Sequence, residues 1–134
     1  MDFRLTEEQR LMVDTARRVG ESFGLDYWRE IDAEKAFPTA YWKAVCDAGL
    51  CGVALPEEHG GAGLGMLHLT MVLEELGRGL VPVPFASAAL AAMAAGMLLK
   101  TDALAPHVSG ERRITLALTE AHGRFEPEIG RAHV

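Results

Sequence analysis

The sequence predicts an all-α fold, an amino-terminal helical bundle, followed by the first strand of a second, β-type unit. Three observations carry this expectation. A capping box opens an apolar stripe with helical spacing near the amino terminus. Glycines and prolines then punctuate a series of helix-like runs. Only after Arg113 does the apolar period shorten to two, the mark of a half-buried strand.

Thr6-Glu7-Glu8-Gln9 has the capping-box pattern, in which the Thr hydroxyl serves an early backbone amide and Gln9 reaches back. Met12, Ala16, Val19 and Phe23 follow on one face, with Arg10, Asp14, Arg17 and Glu21 on another, so the first helix ends near Gly24. A second run, "DYWREIDAEKA", stops before Phe37-Pro38, and a third, "TAYWKAVCDAGL", has Gly49 as its stop signal. The run "MLHLTMVLEELGRG" is closed by Gly77 and Gly79. Pro84 suits the first turn of the next helix, whose leading amides lack partners anyway. "DALAPHVSGE" reads as a short helix or turn. Ile114, Leu116 and Leu118 then alternate with Thr115, Ala117 and Thr119. A lone strand cannot satisfy its own backbone, so its partners must lie elsewhere.

Four glycines crowd positions 60–65, just ahead of an apolar helix, and glycines that open a helix often cradle phosphates. The chemistry of a P-loop is missing, because Met66 and Leu67 stand where the lysine and the hydroxyl residue belong. The dinucleotide fingerprint fails as well, since Met66 replaces the third glycine and no strand-helix-strand unit surrounds it. The stretch is expected to be a tight turn between helices, with glycines permitting positive φ and close backbone approach.

The chain has 134 residues and a formal net charge of −6, enough length for one domain with its own core. Acidity argues against nucleic acid as a partner, because phosphate contacts need clustered Lys and Arg. Residues 80–99 carry no charge, yet Pro82 and Pro84 shorten the helix to about sixteen residues, roughly 24 Å. Alanine dominates it and supplies little transfer energy, so it reads as a buried helix of a bundle and not a membrane span. The opening "MDFRLTEEQR" is charged from its second residue and is no secretory signal. Cys46 and Cys51 read as buried free thiols in a reducing, cytoplasmic setting. His59, His68 and His107 share no metal-ligand spacing, so no metal site is expected. Glu57, Glu58, Glu74, Glu75 and Glu120 are carboxylates of solvated faces, with Glu74 placed to pair with Arg78; Trp28 and Trp42 are packing residues.

Taken together, "DFRLTEEQR", "GLCGVALPEEHGGAGLG", "VLEELGRGLVPVPF" and "GERRITLALTE" resemble the amino-terminal half of acyl-CoA dehydrogenases over about residues 2 to 120. The middle segments are most similar to the bacterial branch acting on bulky acyl-CoAs, often as paired unlike subunits. The resemblance implies an FAD-dependent α,β-dehydrogenation of an acyl-CoA thioester. It implies a helical amino-terminal domain over residues 1–112, with the start of a β domain over 113–127. Carried over by position, Leu116, Leu118 and Thr119 match the strand that meets the flavin through backbone amides and the Thr hydroxyl. Phe85, Ala88 and Ala92 lie near one face of the alanine-rich helix, as helix packing requires; the functional reading makes them the floor of the acyl cavity.

The family's catalytic Glu belongs to a later domain, so no catalytic residue is expected here, and the chain is read as a fragment incomplete for catalysis. After Glu120 the family's Pro and glycine-serine turn are replaced by "AHGRFEPE". Residues 128–134, "EIGRAHV", resemble a translated sequencing adapter and are set aside as a non-native tail. The implied partners are an acyl-CoA, an electron-transfer flavoprotein or similar acceptor, and other subunits in a homo- or hetero-oligomer. The rival readings are a non-catalytic helical partner subunit, and a free-standing helical module that the strand after Arg113 disfavours.

Overall fold

The computed structural model describes residues 4–98 and 104–117, and the regular structure among them is entirely helical. Helix α1 (Glu7–Glu21) begins where the sequence caps it. The Thr6 hydroxyl accepts the Gln9 amide at 3.2 Å, and Gln9 Oε1 accepts the Thr6 amide at 3.0 Å. Ala16 is buried, and Met12, Val19 and Phe23 pack on the same core, as their spacing predicts. The helix stops short of Gly24, which instead precedes α2 (Leu25–Glu34).

Helix α2 ends at Lys35, whose backbone is left-handed (φ +51°) while the Ala36 amide reaches back to the Ile31 carbonyl at 3.0 Å. That is a Schellman closure with lysine where glycine is usual. No residue of α2 is fully buried, yet Tyr27 and Trp28 join Phe23 and Tyr41 in an aromatic cluster with several ring centroids 4.9–5.1 Å apart. Each such pair is worth about 0.5–1.5 kcal/mol beyond its buried area. Tyr41 is fully buried and its hydroxyl finds no hydrogen-bond partner among the described residues; burial pushes the phenol up to about 12.

Helix α3 (Thr39–Asp47) carries Tyr41, Trp42, Val45 and Cys46 into the centre of the core. Gly49 ends it at φ +76°, the stop its position predicts. Two 3-10 turns then follow, Leu50–Gly52 and Glu57–His59, the first of them buried. Neither is expected from the sequence, because three residues carry no periodicity to read.

Helix α4 (Gly65–Arg78) packs chiefly against α1 and turns Leu69, Val72 and Leu76 inward. Gly77, expected as a stop, lies inside it, and Gly79 caps it. Between the two helices Arg17 grips the Glu75 carboxylate with two hydrogen bonds, of 3.0 and 3.1 Å. The Glu75 side chain is only 6% exposed while that of Arg17 is 47% exposed, so this carboxylate is sheltered between helices and not on the solvated face expected for it, and its partner reaches in from the rim. The Arg17 hydrogen bond holds the Glu75 carboxyl below its usual range, and burial opposes it. On the outer face Glu74 pairs with Arg78 at 2.6 Å, as predicted.

Pro84 lies just outside α5 (Phe85–Leu98), and its carbonyl accepts the Ala88 amide. A short α6 (Ala105–Val108), with Pro106 in its first turn, returns His107 to the core beside Trp42. Residues 113–117 take no regular form and pair with no strand among the described residues. No helix of the described residues is long and apolar enough to cross a membrane.

The Arg17–Glu75 clamp yields a pH-dependent expectation. Because folding lowers the Glu75 pKa, its contribution is present above the unfolded carboxylate value of about 4.3 and fades as pH falls below it. Glu75→Gln should lower the melting midpoint at pH 7 by about 2–5 °C. The gap between variant and parent should narrow progressively as pH falls below the unfolded carboxylate value, in thermal scans followed by circular dichroism.

Candidate functional site

The candidate site forms where α4 hands over to α5. At the end of α4 the Leu80 amide bonds the Gly77 carbonyl at 3.0 Å and the Val81 amide bonds the Leu76 carbonyl at 3.3 Å. Leu80 takes the left-handed position at φ +50°. Beyond it, tight bonds from Val83 to Val81 and from Phe85 to Val83 fold the "VPVP" segment back over α4. The two prolines have no amide to donate, so these short turns leave no orphan donor at either position.

The result is a groove of about 410 Å³ walled by Leu73, Leu76, Leu80, Val81, Val83 and Phe85, with Gly77 and Ala86 completing it. Every lining residue is apolar. Such a surface offers no acid, base or metal ligand, and its one chemical capacity is to hold hydrocarbon by removing it from water.

Of the three residues expected along α5, the groove contains Phe85, which is 3% exposed. Ala88 and Ala92 lie further along the helix and are buried within the chain itself. Ala88 packs in the main core and Ala92 against Leu55 and Leu104. The opposite side of α5 carries Ala86, Ser87, Leu90, Met97 and Leu98 to the surface. Leu73, Leu76, Leu80, Val81 and Val83 are not singled out by the sequence. The signal that points to Val81 and Val83 is the paired prolines Pro82 and Pro84, around which the apolar connection folds back; Leu73, Leu76 and Leu80 carry no such signal.

The glycine stretch is the scaffold behind α5. The amides of Ala62, Gly63 and Leu64 donate to the carbonyls of Gly52, Leu55 and Val53 at 2.7–3.0 Å, so they face the protein. Gly60, Gly63 and Gly65 all have positive φ. At Gly61 a β-carbon would sit 2.2 Å from the Leu55 carbonyl oxygen, closer than any atom can approach. This is the tight turn with close backbone approach that the sequence predicts. His59, at its edge, places Nε2 3.2 Å from the Gly96 carbonyl and ties the loop to α5.

Of the expected flavin-facing residues, Leu116 alone falls within the described chain. The Arg113 guanidinium lies 3.8 Å above the Phe37 ring, and Ile114 packs against Leu55, Ala92 and Leu104. Leu116 is 43% exposed, and Leu118 and Thr119 lie outside the described residues. Ile114 is half-buried and Leu116 exposed, and the strand that the alternating pattern predicts is not formed over residues 113–117.

His107 is buried, and neither ring nitrogen makes a hydrogen bond of good geometry among the described residues; burial pushes its pKa below the usual value, and the Arg112 backbone opposes that shift. Cys46 and Cys51 are free, buried neighbours; contact with Cys46, then burial, pushes the Cys51 thiol up. No cluster of metal-ligating side chains occurs among the described residues.

Residues 6–102 match the family model described as "Acyl-CoA dehydrogenase, N-terminal domain". Among solved structures, the chain is similar to a variant of the Tcur3481-Tcur3483 steroid ACAD, with a TM-score of 0.72 and 37% identity. That match covers 86% of this chain and 33% of the other. It is also similar to the ChsE4-ChsE5 complex from Mycobacterium tuberculosis, with a TM-score of 0.76 and 30% identity over 92% of this chain and 36% of the other. The chain thus spans about a third of the length of each of these two.

Two glycines should respond oppositely to alanine. Gly77 sits in a helix with open space where a methyl group would go, so Gly77→Ala should stabilise the protein by about 0.5–1 kcal/mol. Gly61→Ala forces the 60–65 turn away from Leu55 and should destabilise by about 3 kcal/mol or more. Urea titrations of the two variants check both signs.

Proposed function

The chain belongs to the acyl-CoA dehydrogenase family through its amino-terminal helical domain, and from that premise we propose that it forms one wall of the acyl site of an FAD-dependent acyl-CoA dehydrogenase. The observation that carries this reading is the all-apolar groove at the head of α5, with Phe85 as its buried floor. Ala88 and Ala92 would set its depth from behind, since larger side chains there would push α5 outward. A groove without polar side chains suits the hydrocarbon part of an acyl thioester, and the steroid ACAD among its relatives favours a bulky, ring-containing acyl group.

The flavin, when bound, accepts the hydride removed from the β-carbon of the thioester. Toward it this chain would offer the segment ending in Leu116, Leu118 and Thr119. Leu116 fits that role in being exposed, on a stretch anchored by Arg113 and Ile114 whose backbone pairs with no strand among the described residues. On this reading the chain is incomplete for catalysis by itself, and the proton-abstracting Glu, the rest of the flavin site and the electron acceptor's docking surface belong to other sequence. A cytoplasmic setting and an electron-transfer flavoprotein as acceptor are part of the same proposal.

A second reading, a non-catalytic subunit that shapes the acyl pocket of an active companion, is favoured by the ChsE4-ChsE5 complex among its structural relatives. The two readings differ in whether a base-bearing domain belongs to this polypeptide or to its partner.

The test is expression of the domain with its native downstream gene, alone and with the neighbouring subunit. The preparation should be yellow and should reduce an artificial acceptor when given an acyl-CoA. Val83→Trp, which fills the groove and leaves Ala88 and Ala92 unaltered, should raise KM for a bulky acyl-CoA about tenfold, or about 1.4 kcal/mol, at unchanged flavin content. A colourless, inactive protein in both preparations would overturn the proposal; activity only with the companion would select the second reading.

A further inference from the structure

Near the far end of α5, a side chain from outside the helix reaches its backbone. His59 Nε2 lies 3.2 Å from the Gly96 carbonyl oxygen, across 37 residues of sequence. A carbonyl oxygen only accepts, so the ring hydrogen sits on Nε2 and Nδ1 is the bare nitrogen. Nδ1 is buried and finds no hydrogen-bond partner among the described residues. The polar contact of this ring is therefore the one it makes with α5.

Both ends of the contact are fixed for close approach. His59 closes the 3-10 turn Glu57–His59, whose backbone is pinned by the His59 amide on the Pro56 carbonyl (3.0 Å) and the Gly60 amide on the Glu57 carbonyl (2.9 Å). At Gly96 a β-carbon would stand 3.3 Å from His59 Cδ2 and 3.5 Å from Leu55 Cδ2, so glycine lets both lie against the helix. Beyond Phe85 the buried residues of α5 are Ala88, Ala89, Ala91 and Ala92. Methyl groups make shallow ridges, which resist sliding along the helix axis only weakly. A hydrogen bond is directional and supplies the lengthwise setting that the alanines do not. Phe85, the floor of the apolar groove, stands on the same rod about 16 Å away. A slide at Gly96 passes along the helix to Phe85.

We propose that His59 is a positioning residue: by holding Gly96 it sets how far Phe85 stands into the groove, and so which acyl groups fit there. The inference rests on the acyl-site reading of that groove and adds to it a determinant of specificity outside the groove's walls.

The first arm of the test needs no activity. Long-range proton–nitrogen NMR correlation on the 134-residue chain, in mildly alkaline buffer, should show His59 protonated on Nε2. A ring protonated on Nδ1 overturns the proposal. The second arm uses the assembly made with the native downstream gene and the neighbouring subunit. It reads kcat/KM for a bulky acyl-CoA relative to a short-chain one. His59→Phe, which keeps a ring and loses the donor, should lower this ratio about fivefold, the scale of one net hydrogen bond, at unchanged flavin content. His59→Gln, whose amide can still donate, should recover most of it. Gly96→Ala crowds the same contact from the other side while favouring the helix, and should lower the ratio similarly. The double variant of His59→Phe and Gly96→Ala should fall no further than either alone. An unmoved ratio in His59→Phe, a glutamine variant as impaired as the phenylalanine one, or additive losses in the double variant overturn this inference and leave the acyl-site reading standing. A parent inactive in every preparation overturns the acyl-site reading, and this inference with it.

Discussion

Three backbone hydrogen bonds hold the architecture together: those from Ala62, Gly63 and Leu64 to the carbonyls of the segment that follows α3. They fold the chain back on itself within about a dozen residues, and they do so only because Gly61 has no side chain to collide with Leu55. The starting point of α4 is thereby fixed relative to the end of α3. With α4 placed, α1 has a surface to pack on, and the path from Gly79 to Phe85 is set by where α4 stops. The same turn presents His59 to α5, so the glycine stretch positions helices on both sides.

The polar chemistry of the fold is confined to its margins. Arg17 and Glu75 join α1 to α4 with a carboxylate sheltered from water and a guanidinium that remains half in it. That compromise avoids most of the desolvation a fully buried pair would suffer while keeping the directionality of a two-bonded contact. Deeper inside, the hydroxyl of Tyr41, the indole nitrogen of Trp42 and the ring of His107 have no hydrogen-bond partners of good geometry among the described residues. The core therefore bears an electrostatic burden at its aromatic centre and relies on ring packing to offset it.

Much of this is legible in the sequence because the relevant forces are local. Thr6 and Gln9 announce α1, Gly49 ends α3, and Met12, Ala16 and Val19 share a face at helical spacing. The features that the sequence hides are those in which distant or very short segments decide. Gly77 has the look of a stop, yet the flanking leucines keep it helical by packing on α1 and the core. Lys35 and Leu80 adopt a backbone form that their residue types disfavour, so propensity points away from it. The groove is hard to foresee because its wall comes from two helices and a proline-kinked connection, and only Phe85 stands out on family likeness. Leu118 and Thr119 fall outside the described residues, and the strand pattern they belong to needs partners that a single stretch of chain cannot supply.

Helix α5 has Ser87 as its one polar side chain, so aversion to water does little to determine which side faces in. From Ala88 onward, size does. Ala88, Ala89, Ala91 and Ala92 face the core, while Leu90, Met97 and Leu98 face out. The inward alanines let α5 approach its neighbours closely, and the Gly96 carbonyl, held by His59, marks its lengthwise position. Rotational setting and surface shape are therefore encoded in separate residues. Substitutions on the outward side can remodel that surface without reopening the question of how the helix sits, which leaves lineages free to diversify that face on an inherited frame.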